Sequence, residues 1–72
     1  MADILAHITG TVWKIEVAVG DTIAEDDVVV ILESMKMEMP VETNRAGRVT
    51  EIVVAEGQAV AEGDVLVRIE ET

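Results

Sequence analysis

The stretch of the chain best suited to chemistry is ESMKMEM, residues 33–39, near the middle of the 72 residues. It contains one lysine, Lys36, which stands between two methionines. A lysine that acts as a catalyst usually has a desolvated amine. The nearby acids, which would instead favour the charged ammonium, are Glu33, Glu38 and Glu42. Lys36 is therefore better suited to be a substrate, whose amine is acylated in the active site of another enzyme.

An internal repeat indicates which elements hold this lysine. A shift of 37 positions aligns residues 10–33 with residues 47–70, and 12 of the 24 aligned positions are identical. Two copies are too few for a solenoid. They predict two similar halves that face each other across a pseudo-twofold axis, joined by residues 34–39.

Both copies have the pattern of short β-strands. Apolar, β-branched segments of four to seven residues alternate with Gly, Asp and Asn turn signals, which predicts an all-β fold. The strands are expected at 4–8, 11–17, 22–23, 28–33, 38–42, 48–54, 59–60 and 65–69. A helical turn is considered only at 24–27. Positive φ angles are expected at Gly20, Gly57, Gly63 and Asp26.

The connection between the halves is predicted to be a two-residue hairpin loop, Met35-Lys36. Ser34 would then pair with Met37, and Glu33 with Glu38. Such loops prefer Asn-Gly or Asp-Gly, because both residues need φ > 0. A sequence that breaks local rules tends to do so at a functional site. The ordinary alternative is a solvated lysine beside methionines that fill the core.

Composition excludes several classes of protein. Fifteen acidic residues against five basic ones give a formal charge of −10, whereas nucleic acids and anionic membranes bind clustered Lys and Arg. The longest aliphatic run, residues 28–32, is far shorter than the ~20 residues of a membrane-spanning helix. There is no cysteine, which excludes a Cys-based metal site. The N-terminal residues lack the signal-peptide pattern, and a cytoplasmic protein is expected.

Catalysis by the chain itself is not indicated. The sequence has no Ser/His/Asp set and no phosphate-binding glycine loop. His7 lies opposite Asn44 in the repeat, which favours a structural or surface role. Trp13 is predicted to lie in the core, because strand alternation places it on one face with Ile15 and Val17; an exposed patch that binds a partner is the alternative.

The chain resembles the biotinyl/lipoyl attachment domains, specifically the biotin carboxyl carrier type. The likeness runs from Gly10 and Val12 through VGDTIAEDDVVVILESMKMEMPV into the second half. It implies one domain over residues 1–72, a flattened barrel-sandwich hybrid of two four-stranded antiparallel sheets. It further implies that Lys36 accepts biotin. The residues it implies for recognition are Met35, Met37, Glu33, Ser34 and Glu38.

The resemblance also implies partners. A biotin protein ligase would attach biotin to Lys36, a biotin carboxylase would load a carboxyl group, and a carboxyltransferase would pass it to an acyl-CoA or keto acid. The carrier would be a monomer that catalyses nothing itself. It lacks the inserted thumb loop of some family members, which predicts either a free-standing carrier, as Met1 favours, or the tail of a longer subunit.

One further departure from the family pattern and three alternatives accompany this resemblance. Ser34 stands where the family usually has Ala, a change expected to be tolerated. A lipoyl carrier has the same fold but typically has DKA at the tip, and dual acceptance of both cofactors is a further alternative. An unmodified β-sandwich interaction module is the alternative from a different class.

Overall fold

The computed structural model describes residues 2–71, which form eight β-strands and no helix. The strands are β1 (Ala2–Leu5), β2 (Gly10–Ile15), β3 (Thr22–Ile23), β4 (Val28–Ser34), β5 (Met37–Glu42), β6 (Gly47–Ile52), β7 (Ala59–Val60) and β8 (Val65–Glu71). The all-β prediction is confirmed. The main error in strand position is β1, which begins and ends earlier than the predicted 4–8.

The strands form two four-stranded antiparallel sheets. One, the hairpin sheet, has the order β5-β4-β2-β7, and the other, the opposite sheet, has the order β1-β8-β6-β3. Each two-residue strand pairs with a strand from the other half of the repeat: β3 pairs with β6, and β7 pairs with β2. Each half of the repeat therefore completes the sheet of the other half, and the flattened barrel-sandwich is confirmed.

The core fills the space between the sheets with aliphatic side chains from both copies of the repeat. The burial patterns of β4 and β8 agree at their first six positions, as the repeat predicts. Hydrophobic burial is the main force that favours folding in so small a protein. The buried apolar residues are Ile4, Ala6, Val12, Ile23, Val29, Val30, Leu32, Val41, Val49, Val54, Val60, Leu66, Val67 and Ile69.

Equivalent β-bulges interrupt the two copies. The register shifts between Val12 and Lys14 in the β2–β4 pair, and between Val49 and Glu51 in the β6–β8 pair. The prediction that Trp13 lies in the core is wrong, because the bulge breaks the alternation on which it rested. Trp13 has no partner on β4 and is 47% exposed.

The turns follow the glycine pattern. Gly20, Gly57 and Gly63 have φ of +96°, +90° and +93°, and Asp26 takes +75° at the position equivalent to Gly63. The segment 24–27 is a turn closed by the Asp27 N–H, which donates to the Ala24 carbonyl at 3.1 Å. It is not the helical turn considered from the sequence. Within residues 2–71, no helix is long and apolar enough to cross a membrane.

Candidate functional site

The hairpin that joins the two halves has the predicted register. Ser34 pairs with Met37 and Glu33 with Glu38, so Met35 and Lys36 form a two-residue loop. Their φ angles are +53° and +63°, in the left-handed region that non-glycine residues enter at a cost. The loop is therefore strained, and a glycine at the position of Lys36 would lower that strain.

The Lys36 side chain is exposed at this tip. None of the four ion pairs and none of the side-chain hydrogen bonds formed within residues 2–71 includes it. Lys14, the other lysine, is tied to Glu16 by an ion pair of 3.7 Å. Both lysines are exposed, but only Lys36 lies at the tip of a hairpin, whereas Lys14 lies within strand β2.

The flanking methionines do not fill the core. Met35 is 91% exposed and Met37 is 61% exposed, whereas Met39 is half-buried. Exposed apolar patches on a protein surface often mark a contact with another molecule. The core-filling alternative for Met35 and Met37 is therefore wrong.

The structure brings the sequence-predicted recognition residues together around Lys36. Glu33 and Glu38 are exposed and directly opposite each other, and Ser34 is half-buried beneath the loop. Like charges in this cross-strand position are unfavourable for the hairpin. Glu42 does not belong to the cluster, because it pairs with Val28, about 13 Å along β5 from Glu38 at ~3.3 Å per residue.

The base of the hairpin is held by the middle of the sheet. Val29, Val30 and Leu32 of β4 are fully buried and anchor one arm. The other arm, β5, is an edge strand with Pro40 in its middle. An edge strand tolerates proline because one side of its backbone has no partner strand.

Sequence reasoning missed the role of Gly10. A Cβ at this position would lie 2.6 Å from the Glu33 carbonyl oxygen and 3.4 Å from the Ser34 Cβ. Only glycine lets β2 approach the end of β4 this closely. Gly47 has the equivalent contact with Glu70, so the identity of these two glycines in the repeat was the available signal.

The part of the chain that the structure describes has neither a metal-binding cluster nor a pocket. No group of three or more His, Cys, Asp or Glu side chains there could hold a metal ion. His7 is exposed. No pocket was found among the same residues.

Comparison with known proteins agrees with this geometry. Residues 1–69 match the biotin/lipoyl family described as "Biotin-requiring enzyme". The chain is 46% identical over 41 residues to the biotin/lipoyl attachment protein of Bacillus subtilis, a segment that covers 57% of this chain and 56% of that protein. It is 49% identical over 45 residues to the biotinylated protein TB7.3 homologue of Mycobacterium leprae, covering 62% and 63% of the two chains.

Solved structures show the same fold inside much larger proteins. The Kluyveromyces lactis urea carboxylase superposes with a TM-score of 0.90 at 36% identity, over 96% of this chain and 6% of that one. A single-chain, multi-domain long-chain acyl-CoA carboxylase gives 0.86 at 30% identity, over 92% of this chain and 6% of that one. With a family match that covers almost its whole length and a fold shared at this level of identity, this chain belongs to the biotin/lipoyl attachment family.

Proposed function

We propose that this protein is a biotin carboxyl carrier and that Lys36 is its attachment site. The observation that carries the proposal is the position of the Lys36 amine, exposed at a strained two-residue loop without an ion pair to any residue in 2–71. The family match supports biotin as the cofactor. Relatives named as biotinylated proteins support covalent attachment.

The residues present fit biotin. Biotin has a carboxyl group that can form an amide, and the chain must then offer a primary amine that an enzyme can enclose. The Lys36 amine would lose a proton to a base of that enzyme and attack the activated carboxyl carbon, which releases the activating group. The bond formed is an amide, which removes the positive charge of Lys36. The formal charge of the chain then changes from −10 to −11.

Once attached, biotin supplies a ring that carries a carboxyl group between active sites. The contribution of the chain is to present the attachment point and to keep it apart from the body. The exposed hairpin presents the attachment point. Strand β4 holds the hairpin rigidly and so keeps the attachment point apart from the body, because its residues Val29, Val30 and Leu32 are fully buried. A rigid support places the arm without supplying catalysis.

Three enzymes are proposed as partners: a biotin protein ligase, a biotin carboxylase and a carboxyltransferase. The similar chains include an acyl-coenzyme A carboxylase subunit and urea carboxylases, which supports carboxylase partners. The proposed acceptor is an acyl-CoA or a keto acid, selected by the carboxyltransferase. We further propose that residues 1–72 act as one domain, monomeric when isolated, in the cytoplasm.

The proposal is tested by Lys36→Ala, with Lys14→Ala as the matched control. Each variant is co-expressed with a biotin protein ligase and examined by streptavidin blot and intact mass. Lys36→Ala should carry no biotin, while Lys14→Ala should be labelled like the wild type, and both should keep the β-sheet circular dichroism spectrum. Biotin on the Lys36→Ala variant would refute the assignment, and a lipoyl mass on the wild type would replace biotin by the lipoyl alternative.

A further inference from the structure

A row of apolar side chains crosses the outer face of the hairpin sheet. It consists of Trp13 on β2, Ile31 on β4 and Pro40 on β5. Ile31 pairs with Lys14 on one side and with Pro40 on the other, and Trp13 is the bulged residue next to Lys14. Trp13 and Pro40 are exposed and Ile31 is half-buried. We call these three residues the apolar row.

The opposite sheet shows that the fold does not need this row. In the 37-residue repeat Trp13 and Ile31 correspond to Thr50 and Arg68, and Pro40 corresponds to Asp3, 37 positions earlier. There the row is polar: Arg68 forms ion pairs with Glu51 at 3.0 Å and with Asp3 at 3.4 Å. The Thr50 hydroxyl donates a hydrogen bond to the Arg68 carbonyl at 3.1 Å.

The two rows occupy equivalent positions of equivalent sheets, including the bulge. At these three positions the opposite sheet has Thr, Arg and Asp where the hairpin sheet has Trp, Ile and Pro, while the neighbouring bulge position is charged in both, as Glu51 and Lys14. Since packing does not require the apolar residues, their presence on the sheet that carries Lys36 points to contact with another molecule.

The row lies within reach of a partner that holds the hairpin. Lys36 follows Ile31 by five positions, which is at most about 16 Å at ~3.3 Å per residue. A typical stable interface covers about 800 Å² on each partner, a patch roughly 16 Å in radius. One footprint can thus include both the tip and Trp13.

The charge between the row and the tip indicates the character of that partner. Glu33 and Glu38 are exposed next to the row on the hairpin side. A complementary surface would offer an apolar recess for the indole ring with Lys or Arg at its rim. Tryptophan is among the residues that most often dominate the binding energy of an interface.

We propose that the apolar row is a docking surface for the enzyme that acylates Lys36. This inference rests on the proposed function. The acylating enzyme must bring its active site to the lysine amine itself, so it has to cover the hairpin and the face beside it. Enzymes that act on the far end of an attached group meet it at the end of a longer arm and can remain farther from the sheet.

The first test is the rate of biotin attachment as a function of carrier concentration. Trp13→Thr introduces the residue that the repeat uses at the equivalent bulge, and Trp13→Thr/Ile31→Thr removes more of the row without a change in charge. Loss of an interface anchor should raise the KM for the carrier about tenfold or more and leave kcat nearly unchanged. Leu5→Thr, which removes a side chain 46% exposed on the opposite sheet, should leave both constants unchanged.

The second test observes the contact directly. Trp13 is the only tryptophan, so the ¹⁵N-labelled carrier has one indole N–H resonance. Unlabelled ligase, added without ATP, should shift or broaden that resonance together with the amides of Met35 and Lys36. Circular dichroism confirms that each variant is folded before it is measured.

Several outcomes would overturn the inference. Among them are an unchanged KM for the double variant, and an indole resonance that stays sharp while the hairpin amides respond. An indole shift that depends only on the carrier concentration would assign the row to a second copy of the chain. Normal attachment with a defect only in carboxylation would assign it to a carboxylase. If the wild type is not labelled at Lys36 at all, the proposed function has failed, which is a different result.

Discussion

The strain in the hairpin loop leads to a prediction about stability. Met35 and Lys36 have φ of +53° and +63°, whereas two-residue loops of this kind prefer Asn-Gly. The double substitution Met35→Asn/Lys36→Gly should therefore stabilise the protein while it removes the proposed attachment site. Function and stability would then be in conflict at these two residues.

The size of the effect follows from the geometry. A non-glycine residue in a sparsely populated backbone region costs about 1–3 kcal/mol; glycine relieves this cost at position 36, and asparagine, which tolerates positive φ better than methionine, relieves part of it at position 35. Little is lost in return, because Met35 is 91% exposed and Lys36 makes no ion pair within residues 2–71. We expect the free energy of unfolding to rise by about 1–2 kcal/mol, allowing for the added flexibility of glycine in the unfolded chain. For a domain of this size, Tm should rise by roughly 4–8 °C per kcal/mol.

Urea unfolding and calorimetry measure this change, with Asp26→Gly as the matched control. Asp26 has φ of +75° where the second copy has Gly63, so its replacement relieves one positive φ far from Lys36. Aspartate tolerates this conformation better than methionine or lysine, and its gain should be below about 1 kcal/mol. If Asp26→Gly is stabilised but the hairpin variant is not, the loop is not strained and the reasoning is wrong.

Two further predictions concern the surroundings of the hairpin. Gly10→Ala should lower the free energy of unfolding by about 1–3 kcal/mol, because the added Cβ would lie 2.6 Å from the Glu33 carbonyl oxygen. Urea unfolding measures this change, with Thr11→Ala at the exposed neighbour as the control, which should change the free energy of unfolding by less than about 0.5 kcal/mol. Equal effects of the two substitutions would contradict the steric argument. Hydrogen peroxide should convert the Met35 and Met37 thioethers to sulfoxides before Met39, because the first two are 91% and 61% exposed and the third is half-buried. Peptide mass spectrometry over a time course follows each methionine, and equal oxidation of Met39 would show that the hairpin opens in solution.

The sequence by itself determined the features that depend on neighbouring residues. Once the repeat places the connection at residues 34–39, a two-residue link between β-strands allows few backbone conformations, which predicts the positive φ of Met35 and Lys36 and the pairing of Glu33 with Glu38. Gly20, Gly57 and Gly63 were predicted from the same steric rule, and the 37-residue repeat predicted two similar halves.

Only the tertiary structure decided the features that depend on distant parts of the chain. The bulge that turns Trp13 to solvent is a property of the β2–β4 pair, and strand alternation within β2 could not reveal it. The need for glycine at position 10 comes from Glu33, and the pairing of β3 with β6 joins the two halves. Local sterics act over a few residues and are visible in sequence, whereas register and close contact between strands are fixed only when the sheets assemble.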